Sequence, residues 1–187
     1  MDLTDDAVAT LIERYGALQH PIEARHFVEW LRRRPMDLII EIGVWRGGNA
    51  AILKSYFPDA RYIGVDELPP DHPRISDPPA LRTAVEDFGL ELVIGQTKDD
   101  DTRDRVVELI GDRLADFVFI DASHDYDSVK RDFELWSPHA RFVGFHDVHN
   151  PDVYRFWIEC VGWFHPNPRG AALWKEMDGH GIGVVQM

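Results

Sequence analysis

The sequence predicts an α/β fold built on a doubly wound, Rossmann-like parallel sheet. Three observations predict it. The apolar run Leu38-Ile39-Ile40 leads into Glu41-Ile42-Gly43-Val44-Trp45-Arg46-Gly47-Gly48, which reads as a buried strand turning sharply into a helix N-terminus. Short apolar runs then alternate with helical stripes down the chain. The runs end in acids, amides or imidazoles, at the carboxyl edge where such sheets receive ligands. The 187 residues suit a single domain over 1–187, long enough to bury a core.

Before the first strand, residues 1–35 form a helical addition. Thr4 with Asp5 and Asp6 reads as a helix start, and Val8, Leu11, Ile12, Tyr15 and Leu18 share one face. His20-Pro21 restarts the chain, and Ala24, Phe27, Val28 and Leu31 make a second stripe that Pro35 closes. These helices are expected to cover the sheet or one mouth of a site. Strand 38–43, a helix from Asn49 to Tyr56 and strand 61–66 form a βαβ unit. Residues 67–80 carry Pro69, Pro70, Pro73, Pro78 and Pro79, a stiff loop beside the ligand crevice.

A helix over 80–88 and a strand over 90–94 follow. The acidic run Asp99-Asp100-Asp101 fits the cap of a helix over 102–114 better than a metal site. Strand 117–120 ends at Asp121. A helix from 126 to 136 leads to strand 141–145, which ends at His146-Asp147. A helix over 153–161, an aromatic segment and a strand over 182–186 complete the chain. Tyr154, Phe156, Trp157, Trp163 and Phe164 fit core packing better than an acceptor pocket.

The totals exclude several classes. A net charge of −13 argues against a nucleic-acid partner, and Arg32-Arg33-Arg34 sits where it complements a helix dipole. The single cysteine, Cys160, precludes an intramolecular disulfide and a thiolate zinc cluster, and it reads as core. With no signal peptide and no long apolar run, a cytoplasmic protein without a membrane partner is expected. A homo-oligomer remains open.

The pattern Glu-x-Gly-x-x-x-Gly at 41–47 differs from the Gly-x-Gly-x-x-Gly of dinucleotide sites. A pyrophosphate disfavours an adjacent carboxylate, whereas an amino-acid ammonium group tolerates or wants one. This favours S-adenosylmethionine (SAM) over a nicotinamide dinucleotide. Asp66, 23 residues after Gly43, is placed to accept hydrogen bonds from ribose hydroxyls, and Gln96 and Thr97 stand where an adenine would be met. Asp121-Ala122-Ser123-His124 and His146-Asp147-Val148-His149 put carboxylates and imidazoles at two neighbouring strand ends. Asp121, His146 and Asp147 have the ligand types for a divalent cation.

Four motifs carry a resemblance. They are Glu41-Ile42-Gly43-x3-Gly47-Gly48, Tyr62-Ile63-Gly64-Val65-Asp66, Phe119-Ile120-Asp121-x2-His124-x-Tyr126-x2-Val129-x2-Asp132, and Gly144-Phe145-His146-Asp147-Val148. Over about residues 36–187 the chain resembles class I SAM-dependent methyltransferases. More narrowly it is similar to the metal-dependent group of macrolide-sugar O-methyltransferases and proteins labelled cephalosporin hydroxylase. The resemblance implies that Glu41, Gly43 and Asp66 bind SAM, with Gln96 and Thr97 near the adenine. It implies that Asp121, His146 and Asp147 hold the metal and that His124 is the general base. Mg²⁺ is the first choice; His146 departs from the usual carboxylate, and an imidazole ligand leaves Mn²⁺, Fe²⁺ or Zn²⁺ as alternatives. It also implies a seven-stranded, mostly parallel sheet whose last strand, over 181–185, is antiparallel. The expected reaction is O-methylation of a small-molecule hydroxyl. The competing readings are a non-haem-iron oxygenase using His146, Asp147 and either His124 or His149, and a SAM-binding module without catalysis; a dehydrogenase fits the glycine spacing less well.

Overall fold

The structure, a computed structural model, describes residues 4–67, 78–164 and 171–187. Two helices, α1 (Asp5–Tyr15) and α2 (Pro21–Leu31), precede β1 (Leu38–Ile42). Then come α3 (Gly48–Tyr56), β2 (Arg61–Asp66), α4 (Pro78–Phe88), β3 (Glu91–Ile94), α5 (Asp100–Ile110) and β4 (Phe117–Ile120). The chain finishes with α6 (Tyr126–Trp136), a 3-10 turn (Ser137–His139), β5 (Phe142–Phe145), α7 (Pro151–Phe164), β6 (Ala171–Trp174) and β7 (Ile182–Gln186). The seven strands lie in the order β3-β2-β1-β4-β5-β7-β6. Pairings from β3 to β5 are parallel, and β7 runs antiparallel to both β5 and β6. The expected doubly wound sheet with its antiparallel last strand is therefore present.

Both sheet faces are covered, and side-chain alternation divides the core between them. Leu38, Ile40 and Ile42 of β1 join Val118 and Ile120 under α5, α6 and α7, where Val106, Phe133, Trp136 and Phe156 are buried. Ile39, Tyr62, Phe117 and Phe119 face α1 to α4, against Tyr15, Phe27, Leu31 and Leu53. The N-terminal addition thus seals one sheet face. Cys160, Phe156 and Trp157 are buried in the first cluster, as expected for core. The proline-rich segment lies mostly outside the described residues, as do the Trp163 and Phe164 side chains.

Local chemistry explains the boundaries. Thr4 caps α1 through its hydroxyl, and Gly16 ends it in the left-handed conformation at φ 71°. The helix α2 stops at Leu31, before Pro35, and Arg34 returns a hydrogen bond to the Trp30 carbonyl while lying over the Trp30 ring. Helix α5 begins at Asp100 and stops four residues earlier than its apolar pattern suggested, at the positive-φ Gly111. Asp99 occupies its N-cap position without a side-chain cap bond, and Asp100 and Asp101 fall in the first turn. Among the described residues no helix is long and apolar enough to cross a membrane.

Candidate active site

The turn after β1 is built around close approach. Gly43 has φ 91°, and a Cβ there would lie 2.5 Å from the Asp121 carbonyl oxygen at the end of β4. Trp45 also adopts positive φ, and Gly47 supplies the left-handed N-cap of α3 without a side-chain bond to the helix. Asp66 organises this turn: its Oδ2 accepts from Val44 N and Trp45 N, each at 2.9 Å. The carboxylate predicted for a ribose is therefore also the fastener of the glycine loop.

Glu41 lies on the α1–α4 face and is 1 % exposed. Asn49 Nδ2 donates to its Oε1 at 2.8 Å, and the Tyr62 hydroxyl donates to Oε2 at 2.9 Å. Burial pushes its pKa up to about 8; the Asn49 and Tyr62 hydrogen bonds oppose that rise, while the charge of Asp121 adds to it. Gln96 donates to Glu67 at 2.6 Å, and the Thr97 carbonyl accepts from the Trp136 indole at 3.0 Å. One cavity of about 540 Å³ is lined by Glu41, Gly43, Asp66, Gln96, Thr97, Asp121, His124, His146 and Asp147. The residues expected to serve SAM, the cation and the proton thus open onto the same space, whereas His149, the alternative iron ligand, does not line it.

The carboxyl ends of β4 and β5 bring their acids and imidazoles together. His124 Nε2 lies 2.8 Å from Asp147 Oδ2 and 3.7 Å from Asp121 Oδ1. His146 Nδ1 is 3.0 Å from Asp121 Oδ1 and 3.4 Å from Asp147 Oδ2, with Nε2 buried and unpartnered among the described residues. Ligand atoms of Asp121, His124 and Asp147 all lie within 4.8 Å of one another, a spacing one ion could span. Its two carboxylate oxygens are hard donors of the kind Mg²⁺ or Mn²⁺ takes, with the His124 imidazole beside them. Among the described residues the converging set holds one histidine, so it is not the two-histidine, one-carboxylate set expected of an iron oxygenase; it includes His124, expected as the base, and neither His146, expected as a ligand, nor His149.

The electrostatics show what the acids draw in. Hydrogen bonds to Asp121 and Asp147 raise the His124 pKa to about 9. Burial opposes charge on His146, yet the two acids overcome it and raise its pKa to about 10. Burial likewise works against ionising Asp147, but the His124 and His146 contacts hold its carboxyl far below the usual range. Two close carboxylates require compensating positive charge, and the imidazoles supply it here.

Some participants were not legible in the sequence. His180 Nδ1 contacts Asp147 Oδ1 at 2.6 Å, and its ring stacks on that of His146. Asn49 and Tyr62 flank Glu41. Gly16, Ala17, Leu18 and Gln19, between α1 and α2, line the cavity and place the N-terminal addition at its mouth. Only the position of Asn49 in the first turn after the glycine loop offered a signal.

Comparison with known proteins agrees with this arrangement. Residues 40–150 match the family model described as a methyltransferase domain. A curated relative, mycinamicin VI 2''-O-methyltransferase of Micromonospora griseorubida, is 24% identical over 194 residues. That match covers 99% of this chain and 42% of the relative, so the chain spans less than half its length. Among solved structures, the O-methyltransferase from Bacillus cereus in complex with SAH has a TM-score of 0.65 at 17% identity, covering 100% of this chain and 92% of its own. The MycE methyltransferase of the mycinamycin biosynthetic pathway, in complex with Mg, SAH and mycinamycin VI, has a TM-score of 0.59 at 21% identity, covering 96% and 47%. On the family match and the strand order, the chain belongs to the methyltransferase domain family and has the class I SAM-dependent methyltransferase fold.

Proposed function

We propose that this chain is a SAM-dependent, divalent-metal-dependent O-methyltransferase acting on a hydroxyl of a small molecule of sugar or natural-product type. One observation carries the reading: Asp121, Asp147 and His124 converge in the same cavity as the Gly43 loop, Glu41 and Asp66. The mycinamicin relative and the Mg-containing MycE complex support the metal and the acceptor class.

In this reading Glu41 faces the ammonium end of SAM, Asp66 its ribose, and Gln96 and Thr97 its adenine. Asp121 and Asp147 would hold the cation, with His146 Nδ1, 3.0 Å and 3.4 Å from their oxygens, as the third donor. Bound SAM would supply an electrophilic methyl group, and a bound cation would favour ionisation of the acceptor hydroxyl. His124, half-exposed at the cavity, would take the acceptor's proton on Nε2 once a cation, in place of the imidazolium, balances Asp121 and Asp147. The cavity would have to hold the acceptor oxygen in line with the methyl group, and such positioning contributes much of the rate of transfer reactions.

The test is methyl transfer from labelled SAM to a panel of hydroxylated acceptors, with and without excess chelator. Transfer to at least one sugar or polyketide hydroxyl, abolished by chelator and restored by Mg²⁺ or Mn²⁺, is expected. Undiminished transfer in chelator overturns the metal dependence; absence of SAM binding overturns the whole reading.

A further inference from the structure

The Asp147 carboxylate is held from two sides. Its Oδ2 faces His124 at 2.8 Å and His146 at 3.4 Å, towards the cavity. Its Oδ1 faces the other way, 2.6 Å from His180 Nδ1. Asp147 itself sits at φ 56°, a backbone conformation that costs about 1 kcal/mol or more in a non-glycine residue and needs support from its surroundings.

That support comes from the segment carrying His180. Val148 N donates to the Gly181 carbonyl at 3.3 Å and His149 N to the His180 carbonyl at 2.9 Å, so the backbones on either side of the two side chains are stitched together. Gly181, at φ 80°, allows the contact, since a Cβ there would lie 2.7 Å from Val148 Cγ2. The segment is anchored in turn by Glu23 of α2, which is 1 % exposed. Its Oε1 accepts from Glu176 N at 2.6 Å and its Oε2 from Gly181 N at 3.1 Å. A chain of contacts therefore runs from the N-terminal addition, through Glu23 and the 176–181 backbone, to His180 and the Asp147 carboxylate.

We propose that His180 is a positioning residue for the cation site: it engages Asp147 Oδ1 and so turns Oδ2 alone towards the cavity, making Asp147 a one-oxygen ligand. The inference rests on the cation reading given above. A carboxylate free to rotate about its terminal torsion spends part of its time with neither oxygen aimed at the site, or with both. A hydrogen bond on the rear oxygen removes that freedom, and outer partners of this kind commonly change metal affinity by about 10–100-fold. The His180 side chain is 45% exposed and stacks on His146, so it can be truncated with little loss of core.

The experiment measures Mn²⁺ affinity by electron paramagnetic resonance and SAM affinity by calorimetry, in wild type, His180→Ala and His180→Asn. The expected result is a Mn²⁺ dissociation constant raised about 10–100-fold in His180→Ala, with SAM affinity within twofold. His180→Asn, whose side-chain amide can donate from near the Nδ1 position, should recover part of the loss. An unchanged Mn²⁺ affinity in His180→Ala overturns the inference while leaving the cation reading intact. Parallel loss of Mn²⁺ binding, SAM binding and thermal stability in both variants also overturns it, by making His180 merely structural. A wild type that binds no Mn²⁺ overturns the cation reading and this inference with it.

Discussion

Replacing Gly43 by alanine tests whether the glycine turn and the end of β4 share one packing unit. Two costs apply. The first is conformational: φ 91° lies in the region L-residues avoid, at about 1–2 kcal/mol. The second is steric. The added Cβ would stand 2.5 Å from Asp121 O, 2.6 Å from Ala122 Cα and 2.7 Å from Asp121 C, all backbone atoms that cannot rotate away. Overpacking of that kind costs about 1–3 kcal/mol, giving a total of about 2–5 kcal/mol. Gly89→Ala provides the control, since Gly89 also has positive φ (63°) but a Cβ there meets nothing within 4 Å. Urea denaturation of both variants separates the two costs. Gly43→Ala should be less stable than Gly89→Ala by about 1–3 kcal/mol, and it should weaken SAM binding because relief of the clash moves the turn or Asp121. Equal losses in the two variants would refute the reasoning.

Three further outcomes follow from the site. Asp66→Ala should weaken SAM binding by about 1–3 kcal/mol, read by calorimetry, because it removes an acceptor and frees the Val44 and Trp45 amides. Glu41 has a folded pKa of about 8 against an ordinary 4.5, so its protonated form favours the fold. Its contribution is fully present below about pH 4.5 and is lost as pH rises through about 8; denaturation across that window should show stability falling in the wild type and a flatter profile in Glu41→Gln. His124→Ala should keep SAM and Mn²⁺ affinity within a few-fold and lose transfer rate by about 10²–10⁴-fold, least at high pH where hydroxide competes; normal turnover across the pH range would remove His124 from the base role.

Residues at strand ends were the legible part of this chain. A parallel sheet fixes where each strand's carboxyl end points, so Glu41, Gly43, Asp66, Asp121, His146 and Asp147 could be read as neighbours from motif and order alone. The site's outer partners depend on contacts that no local pattern encodes. His180 reaches Asp147 only because β7 inserts between β5 and β6, and Glu23 meets Gly181 across most of the sequence. Tyr62 reads as one more core aromatic in β2, and its hydroxyl becomes meaningful only when the sheet aligns it diagonally with Glu41. Strand β6 escaped notice for a related reason: it is short, lies at the sheet edge and leaves each residue at least partly exposed, so neither alternation nor a buried run marks it.

The bond between Glu23 and Gly181 also bears on the order in which the molecule forms. The two residues are 158 positions apart, among the most distant pairs a chain of 187 residues can join. Contacts of such long span form late, because closing a large loop costs entropy before any burial rewards it. During synthesis, α2 and β1 to β5 emerge while the backbone N–H groups that satisfy Glu23 do not yet exist. A chain stopped short of Gly181 leaves that carboxylate without the Gly181 N–H and β5 with an unpaired edge. A nascent chain that has not yet reached His180 therefore holds Asp121 and Asp147 before the segment that contacts the Asp147 carboxylate has been made.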